Sequence, residues 1–260
     1  MIVPYFNHEK FTLYHNNCFQ VLPLLQEASV DLVFADPPYF LSNDGTTCHG
    51  GQRVSVNKGE WDESKGLLEN YEYTKKWIGE CKRVLKPEGT IWISGTSHII
   101  HIVGFCLEEL GFKILNDITW HKPNPPPNLA CRCFTHATET LIWAVNDPKG
   151  RYKFNYAYLK ERNGGKQMTS VWVMTAPRED EKLLGKHPTQ KPLQLLQRVV
   201  TAASDEGDLV LDPFSGSGTT GIAAWRENRR YIGIEREQEY ADLSVARFQN
   251  ELKAASFFDL

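Results

Sequence analysis

Nowhere in the chain do apolar residues run to the roughly 18–20 consecutive positions that a membrane-spanning helix needs. The opening residues, MIVPYFNHEKF, have no basic segment followed by an apolar one, so no secretory leader is expected and a cytoplasmic protein is. C-x-x-C is absent. The six cysteines stand at 18, 48, 81, 106, 131 and 133. Cys131-x-Cys133 has His136 nearby but no second ligand pair at metal-site spacing, so no metal is expected and the thiols read as reduced side chains. No internal repeat and no low-complexity tract is present, which excludes a solenoid. What remains is a globular composition, 41% hydrophobic and 12% aromatic. Its 260 residues fit one domain, 1–260, with room for an insertion.

A net charge of −3 argues by itself against nucleic acid, but the charge is unevenly spread. Residues 146–191 hold ten Lys and Arg against five Asp and Glu, and the remainder holds nineteen against twenty-seven. A basic segment on an acidic body is the pattern of a local polyanion site. Within it, Tyr152, Phe154, Tyr156, Tyr158 and Trp172 are interleaved with Lys and Arg. The stretch 146–186 therefore reads as an insertion with its own small structure. Its candidates for contact with a polyanion such as nucleic acid are Lys149, Arg151, Lys153, Lys160, Arg162 and Lys166.

Apolar runs alternate with amphipathic stretches, which predicts an α/β protein. Strands are expected at 11–15, 32–36, 90–94, 117–121, 139–145, 209–212 and 231–235. Helices are expected at about 71–86, 97–110, 192–203, 219–227 and 238–254. Residues 41–66, rich in Gly, Ser, Asn and Thr, break the alternation as a long loop. A loop of that length in a compact domain is usually functional or disordered, and part of this one is expected to be mobile without a nucleic-acid partner.

Two strand ends carry chemistry. LVLDPFSGSGTT, 209–220, is a buried strand closing on Asp212, then Phe214, Ser215, Gly216, Ser217, Gly218 and a helix opening at Thr219. Glycines there let backbone turn tightly and approach a ligand. No Lys follows, so it is not a P-loop. About twenty residues on, the strand YIGIE ends at Glu235, placed to accept hydrogen bonds from ribose hydroxyls. The pair reads as a site for a nucleoside cofactor with little or no phosphate, a description that S-adenosylmethionine fits.

The second strand end is LVFADPPYF, 32–40. A charge, two prolines and two rings at one turn are explained by a flat base beside Tyr39. Its exocyclic amine has two hydrogens, one for the Asp36 carboxylate and one for the Pro37 carbonyl. Pro37 and Pro38 stiffen the turn. Holding both hydrogens turns the nitrogen lone pair toward a methyl donor.

DPPY with DPFSGSGTT resembles the S-adenosylmethionine-dependent DNA amino-methyltransferases. The catalytic turn precedes the glycines, with a basic segment between, an order similar to the beta class. GKHPTQKP, 185–192, matches that class as well, as do VDLVFADPPY, RVLKPEGTIWI and YIGIE. The resemblance implies a class I methyltransferase fold in permuted motif order: a seven-stranded, mostly parallel sheet with helices on both faces. It implies that Lys191 belongs to the cofactor pocket, that the target adenine of duplex DNA is flipped out, and that the enzyme serves a restriction–modification system, with a homodimer in view. After the first strand the family usually has a Gly-Asp pair reaching the cofactor's adenine. Here Asn16-Asn17-Cys18 stands in its place, with Asn17 able to bond an adenine edge.

The nearest rival is a cytosine N4-methyltransferase, in which Ser usually replaces Asp at position 36. Enzymes acting on RNA or on a protein glutamine usually have Asn there. An inactive DNA-binding homologue and a nicotinamide dehydrogenase complete the alternatives.

Overall fold

The computed structural model describes residues 2–41, 46–49, 52–55, 62–129 and 131–258. Its strands are β1 (Phe6–His8), β2 (Phe11–His15), β3 (Val30–Ala35), β4 (Thr46–His49), β5 (Gln52–Ser55), β6 (Leu85–Gly95), β7 (Lys113–His121), β8 (Thr138–Val145), β9 (Val171–Val173), β10 (Leu209–Asp212) and β11 (Arg230–Glu235). Its helices are α1 (Cys18–Val21), α2 (Leu67–Val84), α3 (Ile100–Glu109), α4 (Tyr156–Arg162), α5 (Leu193–Ala203), α6 (Thr219–Arg226) and α7 (Gln238–Phe258).

Nine strands, not seven, form the main sheet among the described residues, in the order β1-β2-β11-β10-β3-β6-β8-β7-β9. The seven expected strands are all in it, and β1 and β9 extend its two edges. From β2 to β6 every neighbour is parallel; β8 runs against both β6 and β7. All six residues of β3 are buried because the sheet is covered on both faces. Its alternate residues serve different layers. Leu32 and Phe34 join the core under α5, α6 and α7, while Val33 and Ala35 join the core under α2 and α3. Helix α2 buries Thr74, Trp77, Ile78, Cys81 and Val84, one face at helical spacing, and closes with Lys82 and Arg83 at its negative end.

The chain leaves β3 toward β6 and leaves β10 toward β11, in opposite directions, although β3 and β10 are paired neighbours. A crevice opens outside the carboxyl ends of strands that part in this way. Asp36 and Asp212 lie at those two strand ends.

The basic segment is no separate module. Strand β9 pairs with β7, and Leu159, Trp172 and Met174 are buried in the main core. Of its aromatics Trp172 is buried, while Tyr152, Phe154, Tyr156 and Tyr158 remain exposed. Trp172 lies 6.0 Å from Trp92, and Tyr152 and Phe154 flank the ring of Trp143. Of the expected loop 41–66, residues 42–45, 50–51 and 56–61 lie outside the described residues. The parts described are the β4–β5 hairpin and the segment from Asp62 onward.

Candidate active site

Strand β3 delivers Asp36 to the mouth of the crevice. Oδ1 of its carboxylate accepts hydrogen bonds from the Tyr39 hydroxyl at 2.7 Å and from Ser94 Oγ at 2.5 Å. Oδ2 accepts one from Lys191 Nζ at 2.6 Å. The turn after Asp36 is held from behind by Asp62, which is wholly buried. Its carboxylate takes the backbone N–H of Tyr39 and of Phe40, each at 2.8 Å, and that of Leu41 at 3.2 Å. Those donors stand in for the ones two prolines cannot supply. Phe40 is left with φ of 57°, a rare value outside glycine.

Tyr39 does not lie where the sequence reading put it. Its ring is buried and off the cavity wall, and its hydroxyl also lies 3.3 Å from Glu139 Oε2 and 3.2 Å from Lys191 Nζ. Three polar partners for one hydroxyl outweigh the gain from turning the ring outward. The ring on the wall is that of Phe40, with Pro38 beside it, while Pro37 is buried behind.

Lys191 is buried and lies between two carboxylates, Asp36 at 2.6 Å and Glu139 at 3.5 Å. Burial works against its charge, but Asp36 and Glu139 outweigh burial and hold it above the ordinary lysine range. Burial likewise opposes ionisation of Glu139. Lys191 and Lys122, the latter bonded to Glu139 Oε1, outweigh it and hold the carboxyl below its usual range. Lys191 thus reaches the Asp36 carboxylate as well as the cavity wall.

The cavity has a volume of about 340 Å³ and is bounded by both motifs. Asp36, Pro38 and Phe40 form one side; Asp212, Phe214, Ser215, Gly216, Ser217 and Thr219 form another. Asn17, Cys18, His187 and Glu235 close it. Both Glu235 oxygens accept backbone N–H groups, from Gly216 at 2.7 Å and from Glu237 at 2.8 Å, which fixes the carboxylate at the cavity edge. Burial raises its pKa. Asp212 is also buried, bonded to Thr220 Oγ1 and Phe214 N, and burial pushes its pKa up to about 7. Asn17 Oδ1 caps α1 through Phe19 N at 3.0 Å. Its amide N–H₂ is the group left to meet a ligand. Burial lifts the Cys18 thiol to about 12, so it stays neutral and serves as wall.

The two turn glycines differ. Gly216 has φ of 51° and lies on the wall against the His187 ring. Gly218 has φ of 74° and is off the wall, packed against Ser244 of α7. Arg247 of α7 donates to Ser217 O at 2.6 Å and to Thr219 Oγ1 at 2.9 Å, clamping the turn from outside. Arg247, Asp62, Glu139 and Lys122 were not marked by the sequence. Only Glu139, a carboxylate immediately before a buried run, carried a signal like that of Asp36.

The six basic candidates fall into two groups. Lys149, Arg151 and Lys153 lie in the segment beside Pro87 and Asp208, at the amino ends of β6 and β10, opposite the cavity. Lys153 Nζ is tied there to Asp208 at 2.5 Å and to Asp205 at 3.2 Å. Lys160 and Arg162 are exposed on α4, with Arg162 bonded to the Tyr158 hydroxyl, and Lys166 is exposed just beyond. Among the described residues no group of three or more His, Cys, Asp or Glu comes together to hold a metal ion. Among the described residues, no helix is long and apolar enough to cross a membrane.

Comparison with known proteins follows the same lines. A family model described as DNA methylase, covering N6 and N4 enzymes, matches residues 30–246. The type II methyltransferase M2.DpnII of Streptococcus pneumoniae is 53% identical over 96% of this chain and 94% of its own. M2.MboI of Moraxella bovis is 50% identical over 95% of this chain and 91% of its own. The crystal structure of an M1.HpyAVI–SAM complex superimposes with a TM-score of 0.68 at 29% identity, covering 91% of this chain and 98% of that one. The motifs' particular likeness to the MboII adenine modification methylase is not shown by these relatives. They establish the wider group: the chain belongs to the N6/N4 DNA methylase family, as a type II, site-specific DNA methyltransferase of the beta class.

Proposed function

We propose that the enzyme methylates N6 of adenine at a specific site in duplex DNA, with the target base turned out of the helix into the crevice beside Asp36. The observation that carries this is the acceptor geometry of Asp36. Oδ1 is filled by Tyr39 and Ser94, and among the described residues Oδ2 holds only Lys191. A carboxylate oxygen accepts two hydrogen bonds, so Oδ2 keeps one direction for an amine on a side chain that lines the cavity.

S-adenosylmethionine supplies a methyl group on a sulfonium. The residues suit it: Glu235 for ribose hydroxyls, Asn17 for an adenine edge, Phe214 and Gly216 for close apolar and backbone contact. A turn with no lysine after its glycines suits a molecule without phosphate. Asp36 and the Pro37 carbonyl then hold the two hydrogens of the target amine. The amine nitrogen would form its bond to the methyl carbon as the methyl–sulfur bond breaks, its electron pair staying on sulfur, and the proton lost from nitrogen would pass by way of the Asp36 carboxylate to solvent. That amine is poorly basic, so positioning and the negative charge beside it carry most of the rate. Extruding the base costs a few kcal/mol, offset in the pocket by contacts with walls such as Phe40.

Asp at position 36, where cytosine N4 enzymes usually have Ser, favours adenine. A cytoplasmic enzyme of a restriction–modification system fits this reading, and a homodimer belongs to it through the family resemblance alone. The test is incubation with labelled S-adenosylmethionine and unmethylated duplex DNA, followed by nucleoside analysis. N6-methyladenine is the expected product, and N4-methylcytosine would give the alternative its place.

A further inference from the structure

Behind Asp36 lies a line of alternating charge drawn from four places in the chain. Asp36 follows β3, Lys191 precedes α5, Glu139 is the second residue of β8, and Lys122 follows β7. Lys191 Nζ bridges Asp36 at 2.6 Å and Glu139 at 3.5 Å, and Lys122 closes the line on the far oxygen of Glu139. Side-chain exposure is 13% for Asp36, 7% for Lys191 and 12% for Glu139. Neither Glu139 nor Lys122 lies on the cavity wall.

Stability does not account for this line. Buried ion pairs exchanged for apolar side chains of similar size are often neutral or stabilising. Chemistry does account for it. Positive charge appears on the target nitrogen as the methyl group moves, and the negative charge of Asp36 offsets it. Lys191 alone beside Asp36 would cancel that charge. Glu139 restores it, since Asp36, Lys191 and Glu139 together carry −1 and Lys122 balances the outer end. Lys191 Nζ is also held by the Thr189 carbonyl at 3.3 Å. Its hold on Asp36 Oδ2 keeps the other lone pair of that oxygen available to the amine.

We propose that Glu139 is a positioning residue for methyl transfer, acting through Lys191 to set the charge and orientation of Asp36 without touching base or cofactor. The proposal rests on Asp36 being the acceptor of the target amine. Replacement by Gln takes the net charge of Asp36, Lys191, residue 139 and Lys122 from zero to +1 beside a nitrogen that is becoming positive.

The test is a double-mutant cycle read by single-turnover methyl transfer, with rates normalised to cofactor-binding stoichiometry. Glu139→Gln is expected to slow transfer at least tenfold while the Kd for S-adenosylmethionine and the KM for DNA stay within twofold. Glu139→Asp, which keeps the charge, is expected to recover part of the rate. The double variant Glu139→Gln with Lys191→Gln is expected to be no slower than Lys191→Gln alone. Should Glu139→Gln fail to fold by thermal melt, Glu139→Asp is carried through the same cycle, where a slowing of at least twofold that vanishes in the Lys191→Gln background is expected. A wild-type rate in the variant followed, or losses that multiply independently of Lys191, would overturn the inference. Asp36→Asn separates the two layers. Loss of transfer there with Glu139→Gln unaffected overturns the role of Glu139 alone, whereas full transfer by Asp36→Asn overturns the reading of Asp36 beneath it.

Discussion

Gly218 and Ser244 meet at the back of the glycine turn: a Cβ on Gly218 would come within 2.2 Å of Ser244 Oγ and 3.0 Å of Ser244 Cβ. The second glycine of the motif therefore serves the seating of α7 and a left-handed backbone, not space for a ligand. Gly216, with its backbone on the cavity wall, serves the ligand.

Gly218→Ala is expected to destabilise the fold by about 1–3 kcal/mol, from overpacking and from a side chain at positive φ, while folded protein keeps its cofactor affinity. Gly216→Ala is expected to weaken cofactor binding, since the new methyl group stands between the wall and the His187 ring. Calorimetry beside chemical denaturation checks both, and equal loss of affinity in the two variants would contradict the division of roles.

Asp212 gives the stability curve a definite slope. Its folded pKa of about 7 lies above the roughly 3.9 of an unfolded aspartate. The folded state therefore holds the proton more tightly. The contribution is fully present below about pH 4 and is lost as pH rises through about 7. The full loss is at most about 4 kcal/mol, for a shift of about three units. Urea titrations from pH 5 to about 8 are expected to show a decline that Asp212→Asn flattens, leaving the smaller slope of Glu235, which has the same sign. Parallel curves for the two proteins would contradict the assignment.

DNA affinity should follow the carboxyl ends of the strands. Lys153 is occupied by Asp205 and Asp208 on the opposite side of the sheet, so Lys153→Ala is expected to leave binding and its salt dependence unchanged. Lys186 is exposed next to His187, a cavity residue. Its replacement by Ala is expected to weaken binding to every duplex and to lower the salt slope by about one. Salt titrations on cognate and scrambled duplexes check the pair. The reverse pattern would return DNA recognition to the segment around residue 150.

Strands buried on both faces and closing on a carboxylate were legible in the sequence. Strands β2 and β10 have the expected limits, and Asp36, Asp212 and Glu235 fall where expected. Strand β9 was not legible, because three residues hold too little pattern, and α4 buries only Leu159. The packing of the aromatics near residue 150 was not legible either: Tyr152 and Phe154 lie against Trp143, a residue of β8. Asp62, Glu139 and Arg247 take their meaning from partners 23, 52 and 30 residues away. Local spacing does not encode such pairings.

The claim on which the rest depends is that Asp36 holds the target amine. Single-turnover transfer by Asp36→Ala on unmethylated duplex DNA, with cofactor affinity measured on the same sample, tests it most directly. Cofactor binding within a few-fold of wild type is expected, with a rate lowered by roughly 100-fold or more, about 2.7 kcal/mol in the barrier. Transfer at close to the wild-type rate would contradict it.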